Sequence, residues 1–486
     1  MKRTMLLILP ALQEVLSSEF RQIKYALFPP LSLLTLAALT PEDRYRVIVR
    51  DEHVESTEVD EHVDLVAMTV YISSAHRAYE LADEWRARGA RVILGGIHPS
   101  MLPEEAAPHA DSVCIGPAEP VWAEILADCE RGRLKKFYKA NAVGSAARTP
   151  LPRRDLINQK AYLVRNTMVA SRGCPHHCDF CYKSAFWGRT FYEQRTVHDI
   201  EREIESLEGG FVFFLDDNFF GCPRHVRQML ALLSNAGMVW QAAASLDVSP
   251  KLLHEAYEAG CRSLFVGFES LSPDSMLSAG KVVNARTDYA TKIRMFHDAG
   301  IMINGSFAYG FDNDRADVFD RTLEFAIENK IETATFHILT PYPGTALYER
   351  MERAGRLLHR DWRHYDTRHT VFRPAQMTPD ELEAGYWRSY DEFYRYGSIL
   401  RRSMGLPNPI KRMLYNIGWR KLDRIWSPII SLGLLPVVRP IFELVLAGTT
   451  RNSGSRAALP DGAICAGRVP TGIREQRNTA TGRMRS

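Results

Sequence analysis

The chain has 486 residues, 45% hydrophobic and 24% charged. That is enough for two or three domains with cores of their own, and it excludes general disorder. The net charge of +3 is uneven: residues 449–486 carry seven Arg against one Asp and one Glu, leaving the first 448 residues near neutral, with no basic face for nucleic acid.

The N-terminus, MKRTMLLILP, has a basic start and an apolar run, but the run is short and lacks a small-residue cleavage site. It reads as a buried strand, Met5 to Leu9, rather than a signal peptide. From there to residue 140, short apolar runs (YRVIVRD, DLVAMTVY, RVILGG, SVCIG) alternate with helical stretches. This succession predicts a doubly wound parallel α/β sheet, whose ligand lies at the carboxyl ends of the strands. The loops there are Thr69 to His76, Gly95 to Ser100 and Ile115 to Pro120. The pair Gly95 and Gly96 either lets a ligand approach the backbone or makes a tight turn.

Residues 141–162 read as a linker. Between 163 and 350 a second α/β series has six strand-like segments, which suits a partial (β/α)6 barrel with its chemistry at the strand ends. After 350 the pattern turns helical through 448; Thr378, Pro379 and Glu381 form a helix-start signature. The tail 449–486 reads as disordered. Residues 425–448 hold the longest apolar stretch, but Pro428, Pro436, Arg439, Pro440 and Glu443 break it. It is expected to pack on the protein, with a peripheral membrane contact as the alternative.

Five of the eight cysteines (Cys114, Cys129, Cys222, Cys261 and Cys465) are scattered, as in a reducing, cytoplasmic compartment. The other three, Cys174, Cys178 and Cys181, follow the first barrel strand at spacings that let one loop present three thiolates to one centre. A structural zinc site closes with four ligands, whereas three leave a metal position open. His176 or His177 is the alternative fourth zinc ligand from inside the loop, but His177 directly precedes Cys178 and would need a strained wrap to share its metal.

This C-x3-C-x2-C loop resembles that of the radical S-adenosylmethionine (radical SAM) superfamily. The resemblance implies a 4Fe-4S cluster on Cys174, Cys178 and Cys181. S-adenosylmethionine would bind the fourth iron and be cleaved to a 5′-deoxyadenosyl radical. It further implies that Tyr182 touches the adenine, that Asp216 or Asp217 in FLDDNFF takes the methionine ammonium, and that Glu269 and Ser270 in VGFES serve the ribose and carboxylate. Capping of a helix is the plainer use of the two Asp residues.

With this barrel behind it, the first domain resembles the cobalamin-binding domain of many radical SAM enzymes, on FPPLSLLTLAAL, GGIHPS and IGPAEPVW. Cobalamin contacts are then expected from Thr69, Ser73, Gly95, Gly96, His98 and Gly116. The D-x-H-x-x-G motif that ligates cobalt does not follow the first strand. DEHVES at 51 and DEHVDL at 60 echo it without the glycine, and His53 and His62 are expected as exposed loop residues. The resemblance implies cobalamin-dependent methylation of an unactivated carbon on an apolar small molecule, with electrons from a donor such as flavodoxin or ferredoxin. Radical ring formation, oxidation or rearrangement without methyl transfer is the second reading, and a non-catalytic cobalamin- or metal-binding protein the third. The stripe Tyr386, Tyr390, Phe393 and Tyr394 is expected to pack rather than meet substrate.

Overall fold

The computed structural model describes residues 2–12, 15–16, 23–140, 144, 146, 149–188, 191–420 and 426–447. The expectation for 449–486 therefore falls outside the described residues.

Strands β1 (Arg3–Leu9), β2 (Tyr45–Asp51), β3 (Leu65–Thr69), β4 (Arg91–Gly95), β5 (Ser112–Ile115) and β6 (Phe137–Lys139) form one sheet in the order β2-β1-β3-β4-β5-β6, every pair parallel. Helices α1 (Leu31–Ala38), α2 (Ala75–Ala87), α3 (Ile97–Met101) and α4 (Trp122–Glu130) connect them. β1 is central and buried on both faces, hence its unbroken apolar run. Met5 and Leu7 enter the core under α1 and α4, while Leu6 and Ile8 enter the opposite core with Val66, Met68 and Trp85. Because β2 and β3 flank β1, the order reverses there and a crevice opens at the carboxyl ends of the strands. The second of these cores also takes in Tyr348, Trp362, Tyr365 and Val371 from far along the chain.

The second sheet is open, six-stranded and parallel: β7 (Thr167–Met168), β10 (Phe211–Phe214), β11 (Val239–Ala244), β12 (Cys261–Glu269), β13 (Met302–Tyr309) and β14 (Thr333–Ile338) in chain order. These are the six expected segments. Between β7 and β10 an antiparallel ribbon, β8 (Ser171–Gly173) with β9 (Tyr192–Gln194), departs from the strand-helix repeat. Helices α5 (Tyr182–Trp187), α6 (Val197–Glu205), α7 (Pro223–Asn235), α8 (Pro250–Glu258), α9 (Tyr289–Asp298), α10 (Val318–Glu328) and α11 (Ala346–Arg353) complete this unit.

Helix α12 (Pro379–Phe393) begins with the expected capping box: Thr378 N–H donates to Glu381 Oε2 (2.7 Å), and Glu381 N–H to Thr378 Oγ1 (3.2 Å). Its aromatic stripe packs against the outer strand β14. The Tyr394 hydroxyl accepts from Ala334 N–H (3.1 Å) and donates to Ala334 O (2.8 Å), and Tyr390 pairs with Phe336 in the same way. Two tyrosines thus satisfy a sheet edge that would otherwise stay open. Helices α13 (Tyr396–Ser403), α14 (Pro409–Gly418), α15 (Trp426–Ser431) and α16 (Leu435–Ala447) follow.

Candidate active site between the two sheets

A cavity of about 850 Å³ lies where the carboxyl ends of both sheets face each other. That volume falls in the range of small-molecule and cofactor pockets. Its first wall is backbone-rich, built from Thr69, Tyr71, Gly95, Gly96 and the turn Gly116 to Glu119. Gly96 has φ +102°, and a Cβ there would sit 2.7 Å from Val70 N and 2.8 Å from Val70 O. Glycine is therefore obligatory for the turn. The Ser100 hydroxyl donates to Gly96 O (2.6 Å) and accepts from Gly116 N–H (2.9 Å), tying two glycine loops into one surface. Thr69, Ser73, Gly95, Gly96 and Gly116 all line the cavity.

His98 is placed elsewhere. It is fully buried, with Nε2 3.0 Å from both the Tyr79 hydroxyl and Glu105 Oε1 and its ring against Trp362. His53, expected in an exposed loop, instead lines the cavity with a nearly buried side chain. Its Nδ1 lies 2.8 Å from Asp51 Oδ1, its Nε2 accepts from Leu12 N–H (3.3 Å), and Tyr162 donates to Asp51 Oδ2 (3.0 Å). Both ring nitrogens are engaged, so this imidazole could reach a metal only by giving up a hydrogen bond. Asp51 is two residues away, but local sequence gives no sign of the burial, because Leu12 lies 41 residues from His53 and Tyr162 lies 111 from Asp51.

The opposite wall is built from Ser171, Arg172, Tyr182, Lys183, Phe186 and Trp187. The loop joining β8 to β9 that supplies most of them also carries the three cysteines, which lie beside the cavity lining rather than in it. Gly173 opens that loop at φ +80°, where a Cβ would sit 2.0 Å from Phe191 O. The loop is pinned to the barrel by Asp179 N–H to Ala279 O (3.0 Å), Leu347 N–H to Asp179 O (3.0 Å) and the Arg350–Asp179 ion pair (2.7 Å). Cys174, Cys178 and Cys181 are free thiols, none of them fully buried. Burial pushes Cys178 up to about 12, with Lys281 opposing and the Cys181 and Cys174 sulfurs adding to the rise. Burial likewise raises Cys174, with Cys181 and Asp217 adding. The three sulfurs thus sit within one another's field. Three soft donors on one partly open loop fit an iron-sulfur cluster.

Asp216 is buried against the loop base: its carboxylate accepts from Ala170 N–H (2.9 Å) and Ser171 N–H (2.6 Å), and burial lifts it to about 6. Asp217 faces the cavity, accepting from Gly173 N–H (3.2 Å) and pairing with Lys183. The structure therefore separates the two acids into a brace and a cavity group. Tyr182 lines the cavity edge-on to Tyr342, with ring centroids 5.6 Å apart. Glu269 sits at a β-bulge with φ +62° and holds Lys281 at 2.6 Å. Ser270 is buried, and its hydroxyl accepts from Ser272 N–H (3.1 Å).

Sequence reasoning missed three features. Arg172 pairs with Glu119 across the two walls and lies over the Trp187 ring. Lys183 answers Asp217. Thr367, a β-branched residue at φ +65°, enters the cavity wall from the C-terminal region while its carbonyl accepts from Ile338 N–H (2.7 Å).

Residues 25–126 match the B12 binding domain, 168–358 the radical SAM superfamily, and 345–459 a domain of unknown function, DUF4070. Over 391 residues the chain is 32% identical to the bacteriochlorophyllide d C-12(1)-methyltransferase of Chlorobaculum tepidum, covering 78% of this chain and 85% of that one. The chain belongs to the cobalamin-dependent radical SAM enzymes. The bacteriochlorophyllide d C-8(2)-methyltransferase of the same organism is 29% identical over 80% of this chain and 91% of its own. The structure of the cobalamin-dependent radical enzyme OxsB with aqua-cobalamin and S-adenosylmethionine bound shares the fold: TM-score 0.60 at 15% identity, over 90% of this chain and 75% of that chain. As a member of this family the protein is an enzyme whose cofactors are a 4Fe-4S cluster, S-adenosylmethionine and cobalamin. Its backbone-rich first wall suits the bulky cobalamin, and its three free cysteines suit the cluster. No helix of the described residues is long and apolar enough to cross a membrane.

Proposed function

We propose that the protein methylates an unactivated carbon of a bulky apolar metabolite, with a macrocyclic tetrapyrrole or polycyclic lipid as the substrate class. The observation that carries this reading is the single cavity of about 850 Å³ shared by the glycine-loop wall and the cysteine-loop wall. When bound, the three cofactors supply a 5′-deoxyadenosyl radical for hydrogen abstraction and a methyl group for transfer.

Cys174, Cys178 and Cys181 hold the cluster. Asp217 receives the methionine ammonium, Tyr182 packs on the adenine, and Glu269 and Ser270 serve the ribose and carboxylate. Asp216 keeps the strand end rigid beneath them. Thr69, Ser73, Gly95, Gly96 and Gly116 form the cobalamin surface. The Arg172–Glu119 pair fixes the spacing of the two walls, and the Trp187 ring beside it helps exclude water from a radical. A cytoplasmic setting with a flavodoxin- or ferredoxin-type donor completes the proposal.

The test is anaerobic reconstitution with iron, sulfide and cobalamin, then reduction with S-adenosylmethionine and a panel of tetrapyrroles and polycyclic lipids. Both 5′-deoxyadenosine and S-adenosylhomocysteine are expected, together with a methylated product, and all should vanish in Cys178→Ala. Deoxyadenosine with a converted but unmethylated product would replace methyl transfer by the second reading, radical rearrangement or ring closure.

A further inference from the structure

The helices after residue 395 invert the usual order of a surface helix. On α14 the exposed side chains are Ile410, Leu414 and Ile417, and on α16 they are Val437, Pro440, Ile441 and Leu444. Both sets recur at i, i+4 and i+7, one face each. Polar side chains point inward: Arg402 donates to Ile331 O (2.9 Å), Glu332 O (2.6 Å) and Phe393 O (2.7 Å), and Arg439 to Leu163 O (3.2 Å) and Tyr162 O (2.5 Å). Arg412 pairs with the buried Glu332. Helix α13 packs on α14 and α14 on α16, so their outer stripes adjoin, and Tyr396, Leu400 and Met404 extend them. Exposures run from 37% at Ile417 to 70% at Ile410, and unlike the singly exposed Leu277 these side chains adjoin one another.

We infer that this face docks on a lipid bilayer surface carrying anionic headgroups. Charge decides the occupant. Of the nine Lys and Arg in the sequence of residues 395–447, against Asp423 and Glu443, Arg402, Arg412 and Arg439 point inward, while Arg395 and Arg401 are exposed beside the apolar stripe. Two copies of the face would bring like charge together, whereas an anionic surface complements both its apolar centre and its basic rim. Helix α16 has 13 residues, about 20 Å, so it lies in the interface and does not cross. The face also connects to the cavity: Phe28, which lines it, packs into the same core as Trp419, Leu435 and Phe442. The inference concerns binding alone and does not rest on the proposed reaction.

The experiment is co-sedimentation of the full chain with vesicles of phosphatidylcholine alone, or with about one-third phosphatidylglycerol. Two variants accompany it, Ile410→Gln/Leu414→Gln/Ile441→Gln/Leu444→Gln and Arg395→Glu/Arg401→Glu; light scattering and circular dichroism report oligomeric state and fold. The wild type should pellet at least about tenfold more with anionic vesicles. Folded glutamine variant should lose this, and the charge reversal should weaken it. Three results would overturn the inference: no preference for anionic vesicles, binding that survives in the glutamine variant and so belongs to the basic C-terminal tail, or a wild-type dimer that the glutamine variant dissociates without any vesicle binding. Should the glutamine variant not fold, the charge reversal decides: unchanged anionic binding there sinks the inference.

Discussion

The Trp362 indole N–H points between the two carboxylate oxygens of Glu105, at 2.9 and 3.1 Å, across 257 residues of sequence. Glu105 also takes the Tyr79 hydroxyl at 3.1 Å and the buried His98 at 3.0 Å. Burial alone would raise this carboxyl, but the hydrogen bonds from His98, Tyr79 and Trp362 outweigh it and hold it low. Replacing Glu105 with Ala leaves His98 buried with a lost partner, at a cost of about 1–3 kcal/mol. Trp362→Ala should cost more, about 3–5 kcal/mol, since it also removes a large buried ring. Chemical denaturation of both variants checks the order, and equal losses would count against the packing part of this argument.

Gly173→Ala should remove the cluster while leaving the barrel folded. Its Cβ would meet a carbonyl at 2.0 Å, and a backbone atom cannot swing aside as a flexible side chain does. Iron and sulfide content after reconstitution should fall at least about tenfold with the far-ultraviolet spectrum preserved. Full iron loading would show that the ribbon tolerates another turn.

Tyr394→Phe strips the Ala334 N–H and carbonyl of their shared hydroxyl, and Tyr390→Phe does the same at Phe336. Each should destabilise by about 1–2 kcal/mol although the ring and its packing remain. A melting temperature unchanged in both would mean that water takes over the edge at no cost.

Two buried histidines set a pH dependence. Burial lowers His225 to about 4 and His297 to about 3, the latter with help from Arg412. Both are held neutral in the fold but take up protons once unfolded, so each costs stability as pH falls below about 6.5. Buried Asp216 and Asp314, each raised to about 6, push the opposite way below that pH. The histidine contribution is therefore read by difference. His225→Phe should gain on the wild type by up to about 1.4 kcal/mol per unit between pH 6 and 4. A constant difference across that window would show that His225 is already solvated.

Much of this was legible in the chain. Apolar runs at strand length located β1 and the barrel strands, and cysteine spacing located the loop that faces the cavity. Hidden features depend on distant partners. His53 reads as a loop residue until Leu12, Asp51 and Tyr162 close around it. The loop GGIHPS shows why neighbours diverge: Gly96 and Ile97 line the cavity, yet His98 turns under the short helix toward Tyr79 and Trp362. In FLDDNFF, likewise, the backbone donors of Ala170 and Ser171 claim Asp216 and leave Asp217 to the cavity.

Tyr348, Trp362, Tyr365 and Val371 complete the core beneath β1 and β3. On a ribosome the first sheet emerges more than two hundred residues before those side chains do. Helix α2 covers most of its apolar underside at once, but the part that Tyr348, Trp362, Tyr365 and Val371 fill must wait through synthesis of the whole barrel, exposing apolar surface that a chaperone can bind. The crevice is thus finished last although its strands are made first, since Tyr365, Asp366 and Thr367 of its lining come from the same late segment.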